Sequence, residues 1–106
     1  MKYALLAILM VLTACGTPPT PSAETPTDHV VTMVGYKFEP STITIKVGDT
    51  IEWQNDDAVA HIVNLPQANS PELKVGDSWA FQFNEPGTYA YGCGIHPSMK
   101  GTVVVE

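Results

Sequence analysis

Hydrophobic and polar residues alternate with a period of two through much of the chain after residue 28. The alternation is clearest in four segments, whose apolar positions are Ile43, Ile45 and Val47; Ile51 and Trp53; Trp79, Phe81 and Phe83; and Tyr89, Tyr91 and Cys93. Such alternation is typical of β-strands with one buried face. Clusters of Gly, Pro, Asn and Asp separate the segments, and no window keeps a helical period for three turns. With a closing strand over Thr102 to Glu106, the pattern predicts an all-β fold, a two-sheet antiparallel Greek-key β-sandwich of about seven or eight strands.

One short sequence occurs twice. Lys46-Val47-Gly48-Asp49-Thr50 is matched by Lys74-Val75-Gly76-Asp77-Ser78, and each copy leads into a segment that contains tryptophan. We interpret the two copies as similar connections between strands rather than as a true internal repeat.

The first 14 residues resemble an export signal. Lys2 precedes an unbroken apolar run from Ala4 to Leu12, which is too short to anchor a protein across a bilayer. The run ends in Leu-Thr-Ala-Cys-Gly, which resembles the bacterial lipoprotein box, in which the cysteine is lipidated and becomes the new N-terminus. We therefore expect residues 1–14 to be a signal peptide and Cys15 to carry a lipid that anchors the protein to a membrane, facing the periplasm or the cell exterior. The alternative is an ordinary signal peptide with an incidental cysteine.

Residues 15–28 have a different composition, rich in Pro and Thr and without large apolar side chains. This composition is typical of a tether. The folded domain is then expected over residues 29–106, which is a short chain for a core without disulfides. If Cys15 is lipidated, Cys93 is the single free thiol and no disulfide can form within the chain. A bound metal is one candidate for the missing stabilisation.

The charge of the chain excludes some function classes. The chain has 5 lysines, no arginine and 11 acidic residues, for a formal net charge of -6. Nucleic-acid binding proteins rely on Lys and Arg to neutralise phosphates, so this balance argues against nucleic acid as a partner. The sequence also has no Ser-His-Asp order and no Gly-rich phosphate loop, which argues against a hydrolytic enzyme.

The residues with the most distinctive chemistry lie close together near the C-terminus. Cys93, His96 and Met99 follow one another at intervals of three, among glycines and a proline that favour a tight loop. Cys93 shares the parity of Tyr89 and Tyr91, so its sulfur is expected to point between the sheets. A thiolate, an imidazole and a thioether together suit copper, and a blue-copper site has one thiolate, two imidazoles and a weak axial methionine.

Such a site needs a second histidine, and only His29 and His61 remain. His61 follows the Trp53 strand and lies 32 positions before Cys93, so intervening strands can return to the same end of a sandwich. His29 adjoins the tether and is expected to be a surface residue. Each candidate also has a plainer interpretation, since Cys93 could be an inert buried thiol, Met99 a core residue, His96 a turn residue and His61 a histidine at the sandwich edge.

Several motifs taken together resemble those of the cupredoxins. The motifs are Tyr36-Lys37-Phe38-Glu39-Pro40, the segment from Val47 to Asn55, and Cys-x-x-His-Pro-x-Met-x-Gly over Cys93 to Gly101. The resemblance covers nearly all of Val31 to Glu106, and the short ligand loop is most similar to that of the amicyanins. One departure is Ile62, because many relatives have an asparagine after the first histidine that links the two ligand loops.

The resemblance implies a mononuclear type 1 copper site with the ligands His61, Cys93, His96 and Met99. It further implies a monomeric one-electron carrier, not an enzyme, that exchanges electrons with donor and acceptor proteins through an apolar surface. The residues expected on that surface are Ala58, Val59, Ile95 and Pro97, and those expected in the interior are Trp53, Phe81, Phe83 and Tyr91.

Other interpretations of the same residues stay open at this point. A copper-binding or copper-delivery protein without an electron-shuttle role would use the same ligands. Zinc is a less suitable metal, since thioether is a poor ligand for it. Asp56 and Asp57 have two interpretations. They attract a partner with a basic docking face, or they are only the solvent-exposed residues of a turn.

Overall fold

The computed structural model describes residues 27–106. The predicted signal peptide, Cys15 and most of the predicted tether lie outside the described residues. Between residues 27 and 106 the chain forms eight strands and no helix: β1 (His29–Val34), β2 (Lys37–Glu39), β3 (Thr42–Ile45), β4 (Thr50–Asn55), β5 (Val63–Asn64), β6 (Ser78–Gln82), β7 (Gly87–Cys93) and β8 (Lys100–Val105). No helix in this range is therefore long and apolar enough to cross a membrane.

The strands form two sheets of four, in the orders β2-β1-β4-β6 and β3-β8-β7-β5. The predicted all-β sandwich is confirmed, but the sheets are mixed rather than antiparallel throughout. Strand β1 runs parallel to β4, and β3 runs parallel to β8. The chain leaves the first sheet at β3 and returns to it at β4, so β4 arrives beside β1 in the same direction. The period of two does not distinguish these cases, because side chains alternate equally in parallel and antiparallel strands.

The core lies between the two sheets, and its largest fully buried side chains include Trp53, Phe38 and Phe83. Phe81, which was expected in the interior, is only partly buried because β6 is an edge strand of its sheet. Val47 continues the alternation in the sequence, yet 47% of its surface is exposed. Strand β3 has already ended at Ile45, and Val47 lies in the turn that follows.

The two matching sequences form the same turn, which confirms their interpretation as similar connections between strands. In each turn the backbone N–H of the aspartate donates to the lysine carbonyl, at 3.0 and 2.9 Å, and the aspartate side chain accepts the lysine N–H, at 3.0 and 2.9 Å. The glycines have positive φ values, 92° at Gly48 and 87° at Gly76. A type II turn needs this backbone conformation at its third residue, which explains the glycine in both copies.

A contact between the sheets fixes the strand that leads to the candidate site. The Trp53 indole N–H donates to the hydroxyl of Tyr91 at 3.2 Å, and the Tyr91 ring packs against Phe38 with a centroid distance of 4.7 Å. Burial raises the pKa of Tyr91 to about 12, so its hydroxyl stays protonated. Tyr91 lies two residues before Cys93 on β7, so core packing determines where the cysteine begins the ligand loop.

Candidate metal centre

Three of the four predicted ligands bring their donor atoms together at one end of the sandwich. The Nδ1 atoms of His61 and His96 are 3.2 Å apart, and the Cys93 Sγ lies 3.8 Å from the first and 3.7 Å from the second. A triangle with these sides has its centre about 2.1 Å from every corner. Bonds from a zinc-sized ion to nitrogen and sulfur ligands measure about 2.0–2.3 Å. A single metal ion therefore fits among the three side chains.

The loop between β4 and β5 carries His61, which is completely buried. His61 exchanges two backbone hydrogen bonds with Leu73, at 2.9 and 2.8 Å. The buried side-chain amide of Asn55 stabilises the same loop through three hydrogen bonds. It donates to the carbonyls of Val59 and Leu73 at 2.9 and 2.8 Å, and it accepts the Asp57 N–H at 2.8 Å. These bonds fix the position of the His61 backbone without any metal.

The other ligand segment is a short loop that closes on itself. The Cys93 N–H donates to the Met99 carbonyl, and the Met99 N–H donates to the His96 carbonyl, both at 3.0 Å. Cys93 is buried, with 7% of its surface exposed, while His96 is partly exposed. Met99 belongs to the same closed loop and is fully buried. Its service as a fourth ligand stays a prediction.

The two ligand segments are joined through the backbone. Val63 of β5 pairs with Cys93 of β7, and the Gly94 N–H donates to the Ile62 carbonyl at 3.0 Å. The Ile62 carbonyl therefore links the two loops, although position 62 lacks the asparagine side chain that the resemblance led us to expect.

Asp57 contacts the side of His61 that faces away from the donor triangle. Its Oδ2 atom accepts a hydrogen bond from His61 Nε2 at 2.7 Å and from the Tyr36 N–H at 3.0 Å, and its Oδ1 atom accepts the Gly35 N–H at 2.6 Å. Burial raises the pKa of Asp57, but the hydrogen bonds from Tyr36, His61 and Gly35 together lower it by more. The pKa of this carboxyl group therefore lies below its usual value. With the proton on Nε2, the Nδ1 lone pair of His61 is free to bind a metal. Neither interpretation of Asp57 from the sequence, as a docking charge or as a solvated turn residue, describes this role.

Tyr36 is a second residue whose role the sequence analysis missed. It forms with Gly35 the two-residue connection between β1 and β2, and both residues have positive φ values, 61° and 59°. Two-residue hairpins of this kind require positive φ at both central positions, and the conformation costs a non-glycine residue about 1–2 kcal/mol. A glycine between two apolar alternating segments was the available signal for this hairpin. No motif or spacing indicated that the tyrosine ring would reach the histidines.

His29 lies at the other end of β1 from Tyr36 and away from the donor triangle. Its Nε2 atom pairs with the Asp49 carboxylate at 2.9 Å, and its side chain is 31% exposed. The pKa of Asp49 is lowered mainly by the hydrogen bond with the His29 side chain and next by the hydrogen bond from the Lys46 N–H. This position agrees with the expectation that His29 lies at the surface.

Comparison with known proteins identifies relatives with the same architecture. The family model of the cupredoxin-like domain matches residues 4–105. Amicyanin-alpha of Methylorubrum extorquens is 36% identical over 83 residues, which cover 72% of this chain and 70% of that protein. Amicyanin of Paracoccus denitrificans is 39% identical over 84 residues, covering 73% and 64%. Plastocyanin of Nostoc punctiforme is 32% identical over 127 aligned positions, covering 99% and 91%.

Solved structures agree with the sequence relatives. An oxidised amicyanin variant superimposes with a TM-score of 0.70 at 36% identity and covers 73% of this chain and 80% of its own. The Cu(I) form of another amicyanin variant gives a TM-score of 0.71 at 35% identity and covers 79% and 87%. The resemblance noted in the sequence is thus confirmed by fold and by alignment. The chain belongs to the cupredoxin-like family.

Proposed function

We propose that this protein carries one electron at a time between redox proteins, using a single type 1 copper held by His61, Cys93 and His96, with Met99 as a weak fourth ligand. The observation that carries this proposal is the donor triangle with sides of 3.2, 3.7 and 3.8 Å. One thiolate and two imidazoles at these distances suit copper, which supplies one-electron chemistry between Cu(I) and Cu(II) when bound. Membership of a family that includes amicyanins and plastocyanins supports the same function.

Backbone hydrogen bonds hold two of the three donor residues, Cys93 and His61, in place before any electron moves. Cys93 ends a strand that pairs with both of its neighbours, and the backbone of His61 is bonded on both sides to Leu73. A backbone fixed in this way limits how far these two donors move when the charge at the centre changes. A site that needs little rearrangement favours rapid electron exchange.

The exposure of the ligands indicates where electrons enter and leave. His61 is completely buried, whereas His96 is partly exposed at the surface. Ile95 and Pro97 flank His96 with exposed apolar side chains, and Ala58 is exposed on the other ligand segment, with Val59 partly buried. We expect donor and acceptor proteins to dock on this apolar surface and to exchange electrons through the His96 ring.

The buried ligands argue against copper delivery as the main function. A delivery protein must release its metal to a partner, and that partner would have to reach the buried Cys93 and His61. The electron carrier is expected to keep its copper for hours in the presence of a competing chelator. Release within minutes would support the delivery alternative.

The segment that resembles a lipoprotein box supports a location for the protein. We propose that Cys15 carries the lipid that anchors the monomeric domain to the outer side of a bacterial membrane. Replacing Cys15 with Ser should move the protein from the membrane fraction to the soluble exported fraction, while Cys93→Ser should leave it with the membrane. Recovery of the Cys15→Ser protein in the membrane fraction would contradict the anchor.

The metal site is tested by adding Cu(II) to the detergent-solubilised full chain and recording its visible absorption. We expect one copper per chain and an intense thiolate-to-copper band that a mild reductant bleaches. Cys93→Ser and His96→Gln should lose the band. Cys15→Ser and His29→Gln are matched controls, since each removes the same kind of side chain outside the triangle, and both should keep it. A weak band, or equal loss in the controls, would contradict the proposed ligands.

A further inference from the structure

The connection between β1 and β2 combines an unfavourable backbone with a position beside the candidate site. Within residues 27–106, Tyr36 is the only non-glycine residue with a positive φ. An aromatic residue in this region is a genuine outlier, and such outliers persist when surrounding structure holds them. The Tyr36 side chain is 49% exposed, so burial in the core does not hold it.

The group that holds this connection is the carboxylate of Asp57. It accepts the N–H groups of both Gly35 and Tyr36, at 2.6 and 3.0 Å, and it also accepts the Nε2 hydrogen of His61, at 2.7 Å. The Asp57 side chain is 13% exposed. One carboxylate therefore links the hairpin connection to a predicted copper ligand. A loss of the carboxylate would disturb both at once.

The consequence of this link is the placement of the Tyr36 ring. The ring lies nearly perpendicular to both histidine rings, with a centroid distance of 4.9 Å and an interplanar angle of 86° at His96, and 5.8 Å and 84° at His61. Edge-to-face contacts between aromatic rings are favourable at these distances. The ring therefore restricts the rotation of His96, the more exposed of the two histidines.

We infer that Asp57 and Tyr36 act as one positioning unit, which orients both imidazole ligands and biases the copper toward its oxidised state. This inference rests on the proposed function, because it concerns the same site. When a carboxylate accepts a hydrogen bond from the ring nitrogen that does not bind the metal, the imidazole becomes a stronger electron donor to the metal. Stronger donation stabilises Cu(II) more than Cu(I), so Asp57 lowers the reduction potential. Tyr36 keeps the His96 ring in one orientation.

The first test uses the metal-free full chain and NMR. Long-range proton–nitrogen spectra of the imidazoles should show the His61 proton on Nε2, and Tyr36 ring protons should show contacts to His96. Asp57→Asn should shift the His61 nitrogen signals and weaken the Tyr36 contacts, because an amide offers one acceptor oxygen to three donors. A His61 proton on Nδ1 in the wild-type protein, or unchanged Tyr36 contacts in Asp57→Asn, would overturn the inference.

The second test measures the reduction potential of the copper-loaded chain. Asp57→Asn should raise the ratio of Cu(I) to Cu(II) at a fixed potential at least tenfold, which is a shift of 59 mV for one electron. Asp56→Asn is the matched control, since it removes the same charge from the neighbouring exposed residue, and it should change the ratio less than twofold. Equal shifts in both variants would show that only the charge matters and would overturn the positioning role.

The contribution of the Tyr36 ring is separated by two further substitutions. Tyr36→Asn tolerates the left-handed backbone but lacks the ring, and it should broaden the copper signal in electron paramagnetic resonance because His96 samples more than one orientation. Tyr36→Phe keeps the ring and should keep the narrow signal. A narrow signal in Tyr36→Asn would overturn the role of the ring. If the wild-type protein lacks a type 1 spectrum, the proposed function fails, whereas the NMR test of the metal-free chain still decides the arrangement of these residues.

Discussion

Replacing Gly101 with Ala should destabilise the domain strongly, through a collision with one buried ring. Gly101 pairs with Tyr91 across β7 and β8, and a Cβ at this position would lie 2.5 Å from Tyr91 Cζ and 2.6 Å from the hydroxyl oxygen. Carbon atoms in contact normally stay about 3.5–4.0 Å apart. The ring would have to move by about 1 Å. Phe38 packs against the ring and the Trp53 indole donates a hydrogen bond to its hydroxyl, so the ring has little room for this movement.

The size of the effect follows from two costs. Overpacking of a well-packed core costs about 1–3 kcal/mol. Displacing the ring also strains the bond between Trp53 and the Tyr91 hydroxyl, which is worth about 1 kcal/mol. We therefore expect Gly101→Ala to lower the free energy of unfolding by about 2–4 kcal/mol. The same displacement would disturb Cys93, two residues further along β7.

The measurement is urea unfolding of the metal-free full chain, followed by tryptophan fluorescence. Gly94→Ala is the control, because its added Cβ would meet Ile62 at 3.4 Å, an ordinary contact. We expect the control to change the free energy of unfolding by less than about 1 kcal/mol. A loss below about 0.5 kcal/mol for Gly101→Ala, or an equal loss in the control, would refute the argument from the Tyr91 ring.

Three further changes test other parts of the account. Asn55→Ala should lower the free energy of unfolding in urea by about 3 kcal/mol, because two carbonyls and one N–H lose their buried hydrogen-bond partner. If Gln54→Ala, at an exposed position, lowered it by as much, this role of Asn55 would be contradicted. Gly48→Ala should lower the free energy of unfolding by about 1 kcal/mol through backbone strain alone, since no atom lies within 4 Å of the added Cβ. Gly48→Asn should lower it by less, because asparagine tolerates the left-handed backbone better than alanine. The pKa of Asp49 is lowered from 3.8 in the folded protein, so its stabilisation is complete above pH 3.8 and is lost as the pH falls through the folded pKa. The difference in unfolding free energy between wild type and Asp49→Asn should therefore narrow below pH 3.8, and a constant difference from pH 7 to pH 3 would contradict the role of this carboxylate.

Five of the eight strands, β3, β4, β6, β7 and β8, could be located from the sequence, but β1, β2 and β5 and the directions of the strands could not. Alternation depends only on which residues face the core, and it therefore places Trp53 and Tyr91 correctly. Parallel pairing of β1 with β4 depends on where the chain crosses between the sheets, which the alternation does not encode. The partial exposure of Phe81 has the same origin, since an edge strand has the same pattern as a central one.

The candidate ligands could be selected from the sequence because three of them are close neighbours in the chain. Cys93, His96 and Met99 share one short loop, and only one further histidine follows a predicted strand. The partners of His61 could not be found in this way. Asp57 and Tyr36 meet only after the β1–β2 hairpin packs against the β4–β5 loop, more than 20 residues away in the sequence.

A redox titration of the copper-loaded full chain, followed by electron paramagnetic resonance, tests whether this protein carries electrons. The donor triangle and the buried thiolate predict a Cu(II) signal with narrow hyperfine splitting, which disappears with one electron per chain and returns in full on reoxidation. The copper should stay bound through several cycles. Wide hyperfine splitting, or loss of copper from the protein on reduction, would contradict the account of this chain as an electron carrier.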